Sequence, residues 1–182
     1  MNEAALLLIS AIDVTPATPL AAALLALNNA HAEELSWLAP ERLTHLIAEA
    51  FYAHRIGVVD AFLLAFDQDA DYDSPNFIWF RERYPRFIYV DRIVVASSAR
   101  GRGLARLLYR DLFAEAVRAG HACVACEVNS EPPNAASDAF HAGQGFSEVG
   151  SASIHDGRKT VRYLLRRLED QAALAGGRAS TE

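Results

Sequence analysis

Gly101 and Gly103, interleaved with Arg100, Arg102 and Arg106, stand directly before an apolar stretch that begins at Leu104. The first amides of a helix have no internal partner, and the helix dipole is positive at that end. Glycine removes the side chain that would keep another group off the backbone, and arginine adds positive charge. Together these residues describe a site for phosphate or diphosphate. A tight turn with solvated arginines is the alternative reading of the same stretch. Two nucleotide motifs fit poorly. A P-loop needs Gly-Lys-Ser/Thr, and none follows. A dinucleotide fingerprint needs Gly or Ala where Arg106 stands, early in a βαβ unit.

The two cysteines, Cys123 and Cys126, have C-x-x-C spacing. No second pair accompanies them, and "ACVACEV" reads as a buried strand. Residues three apart on a strand face opposite ways, so these thiols are badly placed to share a metal. Buried, reduced thiols are expected.

The elements around the glycine turn are strongly patterned. "RFIYVDRIVVA" reads as a strand and "GLARLLYRDLFAEAVRAG" as a helix, with Leu104, Leu107, Leu108, Leu112 and Val117 at helical spacing and Gly120 at its stop. Upstream, "LLLISAI" reads as a first strand and "TPLAAALLALNNAHAEEL" as a helix entered through Thr-Pro. "APERLTHLIAEAF" is a second short helix. "YAHRIGVVDAFLLAFD" gives two strands meeting near Gly57, followed by an acidic loop with a helical aromatic segment from Ser74. Downstream, "HACVACEVN" is a strand and "PPNAASDAFHAGQ" a short helix. Two closing strands turn around Asp156-Gly157. This order predicts an α/β or α+β domain with a partly parallel centre. A single domain over residues 1–168 and a fraying tail over 169–182 are expected.

"RGRGLA" at Arg100–Ala105 fits Arg/Gln-x-x-Gly-x-Gly/Ala and resembles the acyl-CoA loop of the GNAT superfamily of N-acetyltransferases. The strand, loop and long helix of "RIVVASSARGRGLARLLYRDLFAEA" look like that family's centre. "CVACEVNSEPPNAASDAFHAGQGFSEVG" looks like its next strand, helix and Gly-Phe strand start. The resemblance covers about residues 87 to 168. It implies a mixed central sheet of about six to seven strands flanked by helices. It also implies acetyl-CoA, or a related acyl-CoA, as the acyl donor to a primary amine. The amides around Arg102, Gly103, Leu104, Ala105 and Arg106 would hold the diphosphate, with Arg100 and Gly101 in the same loop. The backbone of Ile93, Val94 and Val95 would hold the pantetheine arm. Asn134 and Phe140 match later cofactor contacts; a helix cap and core packing are their plain alternatives.

Acyl transfer to an amine calls for a proton acceptor and a proton for the departing thiolate. Glu127 ends an apolar strand, where burial would raise its pKa, and it matches a glutamate that some family members use as base. A carboxylate paired with arginine is the alternative. Asp91 is the second candidate. Regular alternation would put it on the strand face of Ile93, opposite to Arg92. His141 stands where many family members carry the tyrosine acid, four residues before the Gly of Gly145-Phe146, and an imidazole could donate there. Asn28, Asn29 and Trp37 in the first helical region, and Trp79 in the aromatic segment, are candidates for the acceptor side. A CoA-binding module that regulates without turnover is the rival reading.

With 182 residues, half of them apolar, the chain can bury a real core. A formal charge of −6 argues against general nucleic-acid binding. The apolar start lacks a basic flank and is too short to span a bilayer. No membrane partner and no metal are expected. A cytoplasmic, bacterial setting is expected, and the edge of "VRYLLRRL" offers a surface for a homodimer.

Overall fold

The computed structural model describes residues 9–14, 18–154 (the Glu34 side chain excepted) and 159–168. The expected turn at Asp156-Gly157, the tail beyond Leu168 and the start of the first expected strand lie outside the described residues. Seven strands form one mixed sheet: β1 (Ile9–Ala11), β2 (Tyr52–Ile56), β3 (Ala61–Asp67), β4 (Ile88–Val95), β5 (Cys123–Glu131), β6 (Ser147–Ile154) and β7 (Lys159–Arg167). Their order is β1-β2-β3-β4-β5-β7-β6. Every neighbouring pair is antiparallel except β4 with β5. The strand β7 is therefore interior, paired on both edges, and cannot offer the dimer edge expected of it. The sheet's outer strands are β1 and β6.

Helices cover both faces, which explains the unbroken apolar run of β3. Phe62, Leu64 and Phe66 enter one core with α1 (Pro19–Asn29), α3 (Pro40–Glu49) and α4 (Pro75–Arg81). Ala61, Leu63 and Ala65 enter the other with α5 (Leu104–Arg118), while α6 (Ala135–Gly143) packs Phe140 against that second core. A strand buried on both faces needs no polar alternation. Cys123 and Cys126 are free and buried in opposite cores, as their spacing predicts. On α5 the buried face centres on Leu104, Leu108, Leu112 and Ala116, one residue per turn, with Leu107 and Val117 at its flanks.

The expected long first helix is broken. The helix α1 starts where Thr18 caps the amide of Ala21 and ends at Asn29; a single turn, α2 (Ala32–Leu35), follows. The break has a polar cause. Asn28 is fully buried and donates to the Ser36 carbonyl at 3.1 Å, while Asn29 both donates to the Leu38 carbonyl and accepts from the Leu38 amide. Asparagine side chains that bond nearby backbone give the chain an alternative to continuing the helix. Ser36 takes φ 79° and ψ 143°, the one positive φ outside glycine among the described residues. Such a conformation costs roughly 1–3 kcal/mol and persists only where its surroundings enforce it.

Trp79 of α4 stacks on Tyr163 of β7, with ring centroids 4.2 Å apart, and lies under the Arg83 guanidinium. A Cβ at Gly150 would sit 2.7 Å from that indole. Gly150→Ala should therefore displace Trp79 from Tyr163 and cost roughly 1–3 kcal/mol as overpacking. Urea denaturation checks this, and an unchanged midpoint would show that the indole yields freely.

Candidate active site

The parallel ladder between β4 and β5 holds only two pairs, Ile88 with Val124 and Tyr89 with Ala125. Beyond Tyr89 the strands separate, and β4 runs on through Val95 with its β5-facing backbone outside any ladder. Beside this opening β4 carries a bulge. Leu64 of β3 pairs with Arg92 and the next residue, Ala65, pairs with Val90, so Asp91 is the extra residue. A bulge breaks the alternation of faces. Val90 faces the α5 side, whereas Tyr89 and Val94 face the α1 side and Ile93 faces the α5 side again.

Asp91 consequently does not share the face of Ile93, and it does not point away from Arg92. The two neighbours form an ion pair at 2.5 Å, with side chains only 6% and 4% exposed. The other Asp91 oxygen accepts from the Tyr72 hydroxyl, and Arg92 Nη1 donates to Asn28 Oδ1 at 2.7 Å. Paired with a buried cation, Asp91 serves as the counter-ion of Arg92 rather than as a free base.

Glu127 has the better environment. It lies on β5 at the opening, opposite Tyr163 of β7. Tyr89 donates to Oε2 at 2.6 Å and Asn76 donates to Oε1 at 3.0 Å. Tyr163 in turn donates to Asn76 Oδ1 at 3.1 Å, which fixes the amide's orientation. No arginine pairs with Glu127 among the described residues. Burial pushes its pKa up to about 7; the bonds from Tyr89 and Asn76 pull the other way, and the nearby Asp91 charge adds to the rise. Sequence reasoning did not find Asn76, Tyr89 or Tyr163. All three read as ordinary members of aromatic or apolar runs, and only the sheet brings them together.

The glycine turn follows β4 through a single 3-10 turn, Ser97–Ala99. Gly101 and Gly103 have φ of +76° and +74°, and a Cβ built on either meets nothing within 4 Å. Gly103 is the N-cap of α5 and supplies no side-chain cap. The amides of Leu104, Ala105 and Arg106 therefore open the helix without intrahelical acceptors. Arg100, Arg102 and Arg106 are exposed, and Arg102 pairs with Asp60 of the β2–β3 turn at 3.1 Å. Left-handed glycines, open amides and arginines in one bend fit a diphosphate. The residues present thus fit a coenzyme A, with its diphosphate at this turn and its arm along the unladdered edge of Ile93, Val94 and Val95.

His141 is placed differently from its expectation. Its ring is 3% exposed, Nδ1 bonds to the Ser137 carbonyl at 2.8 Å and Nε2 to the Tyr109 hydroxyl at 2.7 Å. Burial lowers its pKa, so the ring is neutral with both nitrogens engaged. That geometry suits a core strut between α5 and α6, not a thiol acid. Asn134 caps α6 by accepting from the Ser137 amide at 3.1 Å, and Phe140 packs against Tyr109. Asn28 and Asn29 are engaged in the loop closure described above. Trp79 is wedged against Tyr163. Trp37 is 66% exposed. No helix is long and apolar enough to cross a membrane, and no metal-ligating cluster occurs, among the described residues.

Residues 75–146 match the Acetyltransferase (GNAT) family. Over that stretch the chain is similar to GNAT acetyltransferases. That match spans Asn76, Tyr89, the bulge, the glycine turn and Glu127. No curated protein sequence matches the chain. Among solved structures it is similar to the ribosomal-protein-alanine N-acetyltransferase from Brucella melitensis, at 24% identity and TM-score 0.63, covering 89% of this chain and 100% of that one. It is also similar to the ribosomal-protein-S18-alanine N-acetyltransferase from Escherichia coli, at 19% identity and TM-score 0.62, covering 96% and 99%. A third is yncA from Salmonella typhimurium, solved with its cofactor acetyl-CoA, at 18% identity and TM-score 0.63, covering 96% and 97%. These likenesses establish the GNAT fold, including the seven-stranded mixed sheet.

The raised pKa of Glu127 has a consequence for stability. The ordinary value is 4.5 and the folded value about 7. Between them the unfolded chain releases its proton while the native chain keeps it. Stability therefore falls as pH rises through that window, and the loss is complete above it. Its expected size is about 3 kcal/mol. Glu127→Gln keeps the shape and cannot ionise. Its stability relative to the native protein, measured by urea denaturation, should rise between about pH 4.5 and about pH 8 by that amount. A difference that stays flat with pH would place the titration of Glu127 elsewhere.

Proposed function

We propose that the protein is an N-acetyltransferase that passes the acetyl group of acetyl-CoA directly to a primary amine. The observation that carries this reading is Glu127: a carboxylate with no cationic partner among the described residues, held by two donors at the mouth of the β4–β5 opening, its pKa raised by burial to about 7. A base poised near the working pH takes a proton most effectively. The second support is the glycine turn at the other end of β4's free edge, and the third is the family match over residues 75–146. The proteins of similar fold include acetyltransferases of ribosomal-protein alanine, which makes a peptide-borne amine a reasonable acceptor class.

In this reading the amides of Gly103 to Arg106 and the surrounding arginines hold the diphosphate, and the backbone of Ile93–Val95 lines the arm. Acetyl-CoA supplies an activated thioester carbonyl. Glu127 takes the proton of the incoming amine at a carboxylate oxygen, while Tyr89 and Asn76 keep that carboxylate aimed and stabilise its negative charge. Asp91 stays paired with Arg92 throughout. His141 has no free nitrogen to offer, so the thiolate takes its proton from water. This last feature also favours the rival reading, a CoA-binding module without turnover.

A thiol-release assay over a panel of amines separates the two: CoA binding with no thiol released from any amine establishes the binding module. For the enzyme, kcat/KM should rise with pH through about 7 as Glu127 loses its proton. Glu127→Gln should remove that limb and cost roughly 10²–10⁴ in turnover with CoA affinity kept; an unaltered pH–rate profile would clear Glu127 of the role. At the turn, Gly103→Asp and Gly103→Asn place similar bulk in the same left-handed conformation and differ in charge. The aspartate should bind CoA more weakly than the asparagine by roughly tenfold, about 1.4 kcal/mol. Equal affinities in calorimetry would remove the turn from the site.

A further inference from the structure

Asn76 is the second residue of α4 and is 8% exposed. Trp79 and Phe80 follow it by three and four positions, so all three share one side of the helix. That side meets β7 at Tyr163: Phe80 approaches the Tyr163 ring edge-on at 5.3 Å, and Trp79 stacks on it. One short helix therefore carries the amide that bonds to Glu127 and also seats the phenol that bonds to that amide. Tyr163 lies directly opposite Glu127 in the β5–β7 ladder, and its hydroxyl reaches the carboxylate through Asn76.

An amide is a dipole that can be reversed in place. Turning the Asn76 amide over exchanges Nδ2 with Oδ1 and leaves its shape unchanged. The two orientations treat Glu127 oppositely. With Nδ2 toward Oε1 the amide donates and favours the carboxylate. With Oδ1 there it repels the carboxylate and accepts from the carboxylic acid. Glu127 alone does not fix the amide, since each of its protonation states suits a different orientation. Tyr163 does fix it. Its side chain is buried, and its hydroxyl donates to Asn76 Oδ1. Reversal would remove that acceptor and leave a buried donor unpaired, which is costly.

The other groups around Glu127 keep their state where it titrates. They are Tyr89 and the Asp91–Arg92 pair from β4, Tyr72 from the connection before α4, Tyr109 from α5, Cys126 beside it in β5, and Tyr163 from β7, with Arg83 lying over the Trp79 indole. Burial raises the four tyrosines and the thiol above their ordinary values, so they are neutral there. Asp91 and Arg92 are closed on each other. The sign of the Asn76 dipole is thus the part of the cage that can change.

We propose that Tyr163 is a positioning residue of the transferase: its hydroxyl holds the N–H end of the Asn76 amide on Glu127, so that the amide stabilises the ionised base. The inference deepens the base role proposed for Glu127 and rests on it for the effect on turnover. Without the hydroxyl the amide turns with each change of protonation, and Glu127 keeps its proton to higher pH.

The test is Tyr163→Phe, which removes the hydroxyl and keeps the ring that Trp79 and Phe80 pack on. The proton on Glu127 is read without turnover from its carboxyl carbon, by carbon-13 NMR of glutamate-labelled protein, with the resonance assigned by its absence in Glu127→Gln. The midpoint should move up by about one pH unit, or about tenfold in proton affinity. Asn76→Ala should also raise it, by loss of a donor. In that background Tyr163→Phe should add no further shift, because no amide is left to orient. In the thiol-release assay, the rising limb of kcat/KM in Tyr163→Phe should move by the same amount. Activity should fall about tenfold below the limb and return to the native level above it, with CoA affinity unchanged. A hydroxyl that only fills the core would lower activity at every pH or at none. A midpoint unmoved in Tyr163→Phe, or moved equally with and without Asn76, overturns the inference and leaves the transferase standing. Absence of thiol release from every amine overturns the transferase, and the carboxyl midpoints then still decide whether Tyr163 acts through Asn76.

Discussion

The separation of β4 from β5 is the constraint on which the rest of the molecule depends. Two parallel strands in the middle of a sheet ordinarily satisfy each other's backbone along their length. Here the ladder ends after Tyr89 and Ala125, and the bulge at Asp91 lies just beyond. The opening leaves a run of polar backbone that a ligand can satisfy, and a strand-borne carboxylate, Glu127, lies beside it. The flanking pairings, β3 with β4 and β5 with β7, are long, each with a single register shift, and tie each lip to its outer neighbour.

The bulge also explains why two carboxylates that look alike in sequence have different fates. Asp91 and Glu127 each sit in an apolar strand. The bulge turns Asp91 onto the same face as Arg92, and the pair closes on itself with Tyr72 and Asn28 as further partners. Glu127 gets two neutral donors and, among the described residues, no cation. The first arrangement keeps a charge and neutralises it; the second makes charge costly. The negative Asp91 nearby adds to that cost. Local geometry of one extra residue thus separates a structural ion pair from a group able to exchange a proton.

Much of this was legible in the residues. The Gly-Arg turn, the strand before it and the helix after it follow from local patterns, and the structure places all three where the patterns indicate. Glu127 was legible as a carboxylate at the end of a buried strand. Its partners were not, because Asn76, Tyr89 and Tyr163 meet only through sheet order and the docking of α4. Asp91 and Arg92 misled, since alternation is a rule for regular strands and a bulge leaves no clear mark in one sequence. His141 occupied a position suggestive of chemistry, but its burial depends on Tyr109 reaching across from α5. The edge of β7 read as free because its covering strand, β6, precedes it in the chain and pairs with it as a hairpin, while β5 takes the other side.

The cage around Glu127 is drawn from α4, β4, β5 and β7, four segments spread from Asn76 to Tyr163. No fragment of the chain shorter than that span holds Glu127 in this set of contacts. The residues of the glycine turn, by contrast, are contiguous in the chain from Arg100 to Arg106. The proposed donor site is thus local in sequence and the proposed base is not, and only complete tertiary closure joins them.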